Sequence, residues 1–131
     1  MASTLLSVPG MAPRFLIVYG TTDGHTAKVV AAMASTLQAR GASVSLENSA
    51  APWTSNPGDY SAVIVAASVH AGTYQRSVRR WVKTHLVALN QRPSAFVSVC
   101  LAVLNPTPKV ERDLDATLQR FFGETGWKPG E

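Results

Sequence analysis

Residues 15–19, Phe-Leu-Ile-Val-Tyr, form an unbroken apolar run, and from 25 to 40 the period changes, with Val29, Val30, Met33 and Leu37 at helical spacing before Gly41. An apolar run of that length predicts a strand covered on both faces, and the change of period predicts a helix that ends at the glycine. The alternation then repeats. Residues 43–46, Ser-Val-Ser-Leu, predict a short second strand, and 49–57 form a Pro/Ser/Asn loop in which Trp53 is expected to act as a packing plug. Residues 62–67, Ala-Val-Ile-Val-Ala-Ala, are apolar on both faces and predict a central strand. A helix is expected over 75–89, a fourth strand over 95–100, and a helix over 108–122 with Val110, Leu114, Leu118, Phe121 and Phe122 on one face.

Strands alternating with helices predict parallel pairing with right-handed crossovers, hence a doubly wound α/β sheet with helices on both faces. Ligands in such folds sit beyond the carboxyl ends of the strands. The loops that begin at Gly20, Ser68 and Leu101 should therefore converge.

The first of these loops carries the strongest chemical signal. Gly20-Thr21-Thr22-Asp23-Gly24-His25-Thr26 leads from a buried strand into a helix whose first backbone N–H groups are free to bind an anion. Thr21, Thr22 and Thr26 offer hydroxyl donors, and Gly24 allows a close approach or a positive φ. Neither a Walker loop nor a Gly-x-Gly-x-x-Gly fingerprint is present, which leaves hydroxyl and backbone recognition of a single phosphate. An ordinary strand-to-helix turn with a threonine N-cap would carry the same residues. The second loop, Ser68-Val69-His70-Ala71-Gly72-Thr73-Tyr74, adds what a flat ring system needs: a small polar residue, a glycine and an aromatic.

With these two loops, the chain resembles the flavodoxin fold, and more closely the menaquinone-dependent protoporphyrinogen IX dehydrogenase family. The resemblance rests on 22–26 and 67–74, on Arg92-Pro93-Ser94-Ala95-Phe96-Val97-Ser98-Val99 and on Trp127-Lys128-Pro129, and covers residues 14–131. It implies a flavodoxin-like sheet of order 2-1-3-4 and FMN as cofactor. Its phosphate would lie at Thr21, Thr22, Gly24, His25 and Thr26, with Asp23 in the same cofactor-binding loop a mildly unfavourable charge unless it points outward, and its ribityl chain and ring near Ser68, Val69, His70, Ala71, Gly72 and Tyr74, with Leu101 and Ala102 as an aliphatic wall. It also implies a porphyrinogen as substrate, a quinone as electron acceptor and a place in haem biosynthesis. Flavodoxin folds usually close with a fifth strand and a final helix, and the sequence stops where that strand is expected. An open sheet edge and self-association are therefore expected, and activity is expected to be more fragile than binding.

Length and charge narrow the alternatives. A chain of 131 residues makes one domain, here 14–131 after an unstructured extension over 1–13. One cysteine, Cys100, rules out an internal disulfide and is expected to be a small buried apolar residue. No membrane-spanning run is present, and the expected location is the cytoplasm. The net charge of +4 favours anionic partners. Arg76, Arg79, Arg80 and Lys83 fall at i, i+3, i+4 and i+7, opposite Val78, Trp81, Val82, Leu86 and Leu89. They make either a plain solvated face or one that attracts porphyrin propionates or anionic lipid on the inner face of the cell membrane. No nucleic-acid module fits, and His25, His70 and His85 have no metal-ligand spacing. Two other classes remain open: a flavodoxin-type electron carrier, and a flavin-binding domain without turnover.

Overall fold

The computed structural model describes residues 12–21, 24–69, 73–99 and 107–129. Four strands, β1 (Arg14–Gly20), β2 (Ser43–Asn48), β3 (Ala62–Ser68) and β4 (Ser94–Val99), form one parallel sheet in the order β2-β1-β3-β4. The expected order is the observed one. β1 and β3, the two apolar runs, occupy the centre, because only central strands are covered on both faces.

Helices cover both faces. Helix α1 (His25–Ala39) packs Val30 and Ala34 against Ile17 and Ala66 on one side. On the other, α2 (Arg76–Thr84), α3 (Leu86–Asn90) and α4 (Pro108–Thr125) bury Val78, Trp81, Val82, Leu89 and Phe121 against Leu16, Val18, Val63 and Val65. Thr107 caps α4, its hydroxyl accepting from Val110 N at 3.1 Å, and Gly126 ends it at φ 78.

The helix expected over 75–89 is in fact two. His85 leaves the helical region at φ −108 and ψ 22, its Nδ1 lies 2.9 Å from Trp81 O, and its ring lies against Trp81 with centroids 4.3 Å apart. β2 runs two residues beyond the expected stretch, and that extension places Glu47 in the interior. Trp53 is half-buried against the core as expected, its Nε1 donating to Ser49 O at 2.8 Å.

The α1 face is incompletely covered. Four strands about 4.8 Å apart span roughly 15 Å, while one helix shields about 10 Å. The remainder is an apolar groove of about 490 Å³ lined by Val29, Ala32, Met33, Thr36, Leu37 and Ile64. β4 pairs with β3 along one side, and its other edge has no strand partner among the described residues.

Candidate functional site at the carboxyl ends of the strands

Parallel pairing in register brings the strand ends level. Gly20 lies opposite Ala67, and Ser68 opposite Val99, so the loops after β1, β3 and β4 leave the sheet together. Val69 N donates to Val99 O at 3.1 Å, which carries the ladder one residue past β3. A second cleft, about 480 Å³, lies at the far end of the sheet among Leu89, Asn90, Gln91, Pro93, Ser94 and Lys128. Arg92 in its wall is committed to the carbonyls of Ala88, Gly58 and Tyr60. It holds the chain together there.

At the first loop the helix begins without a side-chain cap. Gly24 is the N-cap at φ 91, a left-handed conformation that glycine adopts without strain, and no threonine among the described residues caps the helix. Thr21 Oγ1 instead accepts from Gly24 N at 2.8 Å, folding the turn back on itself. His25 is exposed at the first helical position, and Thr26 beside it is fully buried. The Thr26 hydroxyl has no hydrogen-bond partner among the described residues, an arrangement that costs about 1–3 kcal/mol in a settled interior. No acidic residue stands in the first turn of α1. The first turn itself therefore brings no side-chain charge to offset the positive end of the helix dipole.

The second loop is fastened at its base. Gln75 Oε1 accepts from Ser68 N at 3.2 Å, and Gln75 Nε2 donates to Ser68 Oγ at 2.6 Å. Gly20 lets this happen. A Cβ there would overlap Val78 and sit 3.1 Å from Gln75 Oε1, so the first turn of α2 closes over the end of β1 only because residue 20 has no side chain. Ser49, the residue after β2, meets Ser77 of α2, Oγ to Oγ at 2.7 Å. Neither Gln75 nor Gly20 stands out as a site residue in the sequence.

Tyr74, expected beside a ring ligand, is only 3% exposed. Its hydroxyl pairs with Ser98 Oγ at 2.8 Å, and its ring meets Phe96 and Phe121 edge-on at 5.0 and 5.2 Å. The aromatic ring packs into the α4-side core. Thr22, Asp23, His70, Ala71, Gly72, Leu101 and Ala102 lie outside the described residues, as does Cys100. Among the described residues, no cluster of histidine, cysteine and acidic side chains could hold a metal, and no helix is long and apolar enough to cross a membrane.

The basic stripe is not one surface. Arg76, Arg80 and Lys83 are exposed, with Arg80 lying over the Trp53 ring 5.8 Å from its centroid. Arg79 turns instead towards Glu124 of α4, 3.9 Å away, and its Nε is buried with no hydrogen-bond partner among the described residues.

Comparisons with known proteins agree with this geometry. Protoporphyrinogen IX dehydrogenase [quinone] of Escherichia coli strain K12 is 29% identical over 114 residues, 87% of this chain and 62% of that protein. The chain thus spans under two-thirds of the length of that relative. A flavodoxin from Pseudomonas aeruginosa, solved as a cysteine-to-alanine mutant, superposes with a TM-score of 0.63 at 18% identity, over 88% of this chain and 78% of that one. A Fusobacterium nucleatum flavodoxin solved with flavin mononucleotide gives 0.59 at 12% identity, over 89% and 68%. These two likenesses concern the fold. The family described as "Flavodoxin domain" matches residues 16–131, and with the sheet order and the loop after β1 this makes the chain a member of the flavodoxin domain family.

Proposed function

We propose that this chain binds FMN at the carboxyl ends of β1, β3 and β4 and belongs to an oxidoreductase that takes reducing equivalents from protoporphyrinogen IX and passes them to a quinone. The observation that carries the cofactor is the buried hydroxyl of Thr26 at the start of α1, unpartnered among the described residues. A hydroxyl in that position is a donor waiting for an acceptor, and a phosphate at the helix N-terminus supplies one. The substrate and acceptor rest on the name of the Escherichia coli relative.

In this reading Thr21, Thr22, Gly24, His25 and Thr26 enclose the phosphate, and Asp23 in the same cofactor-binding loop is a mildly unfavourable charge unless it points outward. Ser68, Val69, His70, Ala71 and Gly72 border the ribityl chain and ring, with Leu101 and Ala102 on the other side; Tyr74 supports that loop from the core. Bound FMN supplies the redox chemistry, and the protein supplies position, dielectric and access. The exposed cations Arg76, Arg80 and Lys83 would draw an anionic lipid surface or porphyrin carboxylates towards the α2 side of the site. The edge of β4 that has no strand partner among the described residues is a route to self-association.

Thr26→Val tests the cofactor. It is nearly isosteric and removes a hydroxyl that has no partner among the described residues, so the apo form should be as stable as wild type or more so. FMN affinity should fall roughly 10- to 150-fold, the worth of a hydrogen bond to a charged group, while riboflavin affinity stays unchanged. Equal FMN affinity in variant and wild type would remove the phosphate from this loop.

The electron-carrier reading draws on the flavodoxin fold. Anaerobic quinone reduction with protoporphyrinogen as donor separates the two: a carrier binds FMN and turns over no porphyrinogen. Wild-type protein that takes up no FMN would leave only a cofactor-free domain.

A further inference from the structure

Gln75 occupies the N-cap of α2 and yet makes no side-chain capping hydrogen bond to that helix. An N-cap side chain ordinarily satisfies its own helix's free N–H groups. Here the amide reaches back across seven residues to the last residue of β3, accepting from Ser68 N and donating to Ser68 Oγ. Its Cβ and Oε1 also lie within 3.2 Å of the point where a Cβ on Gly20 would stand. A single half-buried side chain therefore touches the ends of both central strands, from which the first two loops of the site depart.

We infer that Gln75 is a positioning residue for the flavin site: its amide ties the start of α2 to the end of β3, the point from which the second loop leaves the sheet. This rests on the FMN reading. The chemistry suits the task, because a primary amide presents an acceptor and a donor side by side, and Ser68 offers a backbone N–H and a hydroxyl oxygen in matching order. Ser68 is thereby held at both its main chain and its side chain. A leucine or methionine would fill the same volume and hold neither atom. A lysine would have nothing to accept with.

Two readouts test the assignment, one without flavin. In the apo protein, Gln75→Met should speed hydrogen exchange at the Ser68 amide by about tenfold or more while Val65, in the middle of β3, exchanges as before. Gln75→Glu, whose carboxylate accepts from both the N–H and the hydroxyl of Ser68, should restore protection. In the binding assay, Gln75→Met should weaken FMN and riboflavin by the same factor, about tenfold, because the ring side of the site is disturbed and the phosphate side is not. That equal loss separates it from Thr26→Val, which should affect FMN alone. A Gln75→Met protein that keeps Ser68 protected and binds both flavins like wild type overturns the inference, as does a loss confined to FMN. Wild-type protein that takes up neither flavin overturns the cofactor reading instead, and the exchange of Ser68 then still decides the clamp.

Discussion

Trp81 Nε1 donates to Glu47 Oε2 at 3.0 Å, joining a fully buried indole on α2 to a carboxylate on β2. The other carboxylate oxygen accepts from Thr54 N and Ser55 N, both at 2.9 Å. A buried carboxylate is tolerable only with such company, and here three N–H groups surround it. The arrangement anchors the 49–57 loop, and with it Trp53, onto the edge strand.

Glu47→Gln should therefore destabilise the fold by about 1–3 kcal/mol, because the amide can satisfy the loop N–H groups with its oxygen but then turns its NH2 towards the indole N–H. Urea unfolding followed by tryptophan fluorescence reads the loss, and FMN affinity should not change. A Glu47→Gln protein as stable as wild type would mean that the carboxylate contributes nothing beyond its volume.

Glu47 also shows where sequence stopped being sufficient. β1 and β3 were legible because strands buried on both faces write that burial as a continuous apolar run. An acidic residue at the end of Ser-Val-Ser-Leu reads as solvent-facing, since its three donors are Trp81, far along the chain, and two residues of the following loop. His85 broke the expected helix with neither proline nor glycine to signal it; its contacts with Trp81 and Trp53, rings 4.3 and 5.6 Å away, are tertiary. Tyr74 was claimed by Phe96, Phe121 and Ser98, residues of two elements beyond the loop in which it stands. The turn after β1 was legible for the opposite reason: its strand, turn glycine and helix start are contiguous, while the pairing of Thr21 with Gly24 and the burial of the Thr26 hydroxyl depend on the fold around them.

Gly20→Ala should cost about 1–3 kcal/mol, the usual effect of overpacking. The added methyl meets Val78 on a fully buried helix face and crowds the Gln75 amide, so α2 must move outward at its first turn. Thermal unfolding measures the cost. The displacement should also weaken FMN binding, which a remote core change of equal cost would not do; equal affinity would uncouple α2 from the site.

Gly24→Val acts through backbone conformation. The φ of 91 lies where a β-branched residue is strained, at about 1–2 kcal/mol, yet a Cβ there would meet nothing within 4 Å among the described residues. The fold should survive with an unchanged far-UV circular dichroism spectrum. FMN affinity should collapse, because the turn must hold this φ for the N–H groups to converge on a phosphate. Full FMN affinity in a folded Gly24→Val protein would show that the turn tolerates another geometry and that its glycine serves only the helix start.

The exposed cations of α2 make the last prediction, and the structure sharpens which ones to change. Arg79 is turned towards Glu124 and half-withdrawn from solvent, so its removal would disturb the α2–α4 contact as well as the surface charge. Arg76, Arg80 and Lys83 are exposed, Arg80 over the Trp53 ring, and α2 carries no acidic residue to offset them. Each basic residue near an anionic membrane is worth about 1 kcal/mol, so the three together would supply roughly a hundredfold in partitioning. Changing Arg76, Arg80 and Lys83 to Gln should therefore lower co-sedimentation with phosphatidylserine vesicles by that order and leave FMN affinity intact. Raising the salt should reproduce the variant's behaviour in the wild type, since the attraction decays over a Debye length of about 8 Å at physiological ionic strength. Equal sedimentation of variant and wild type at low salt would return this face to ordinary solvated surface.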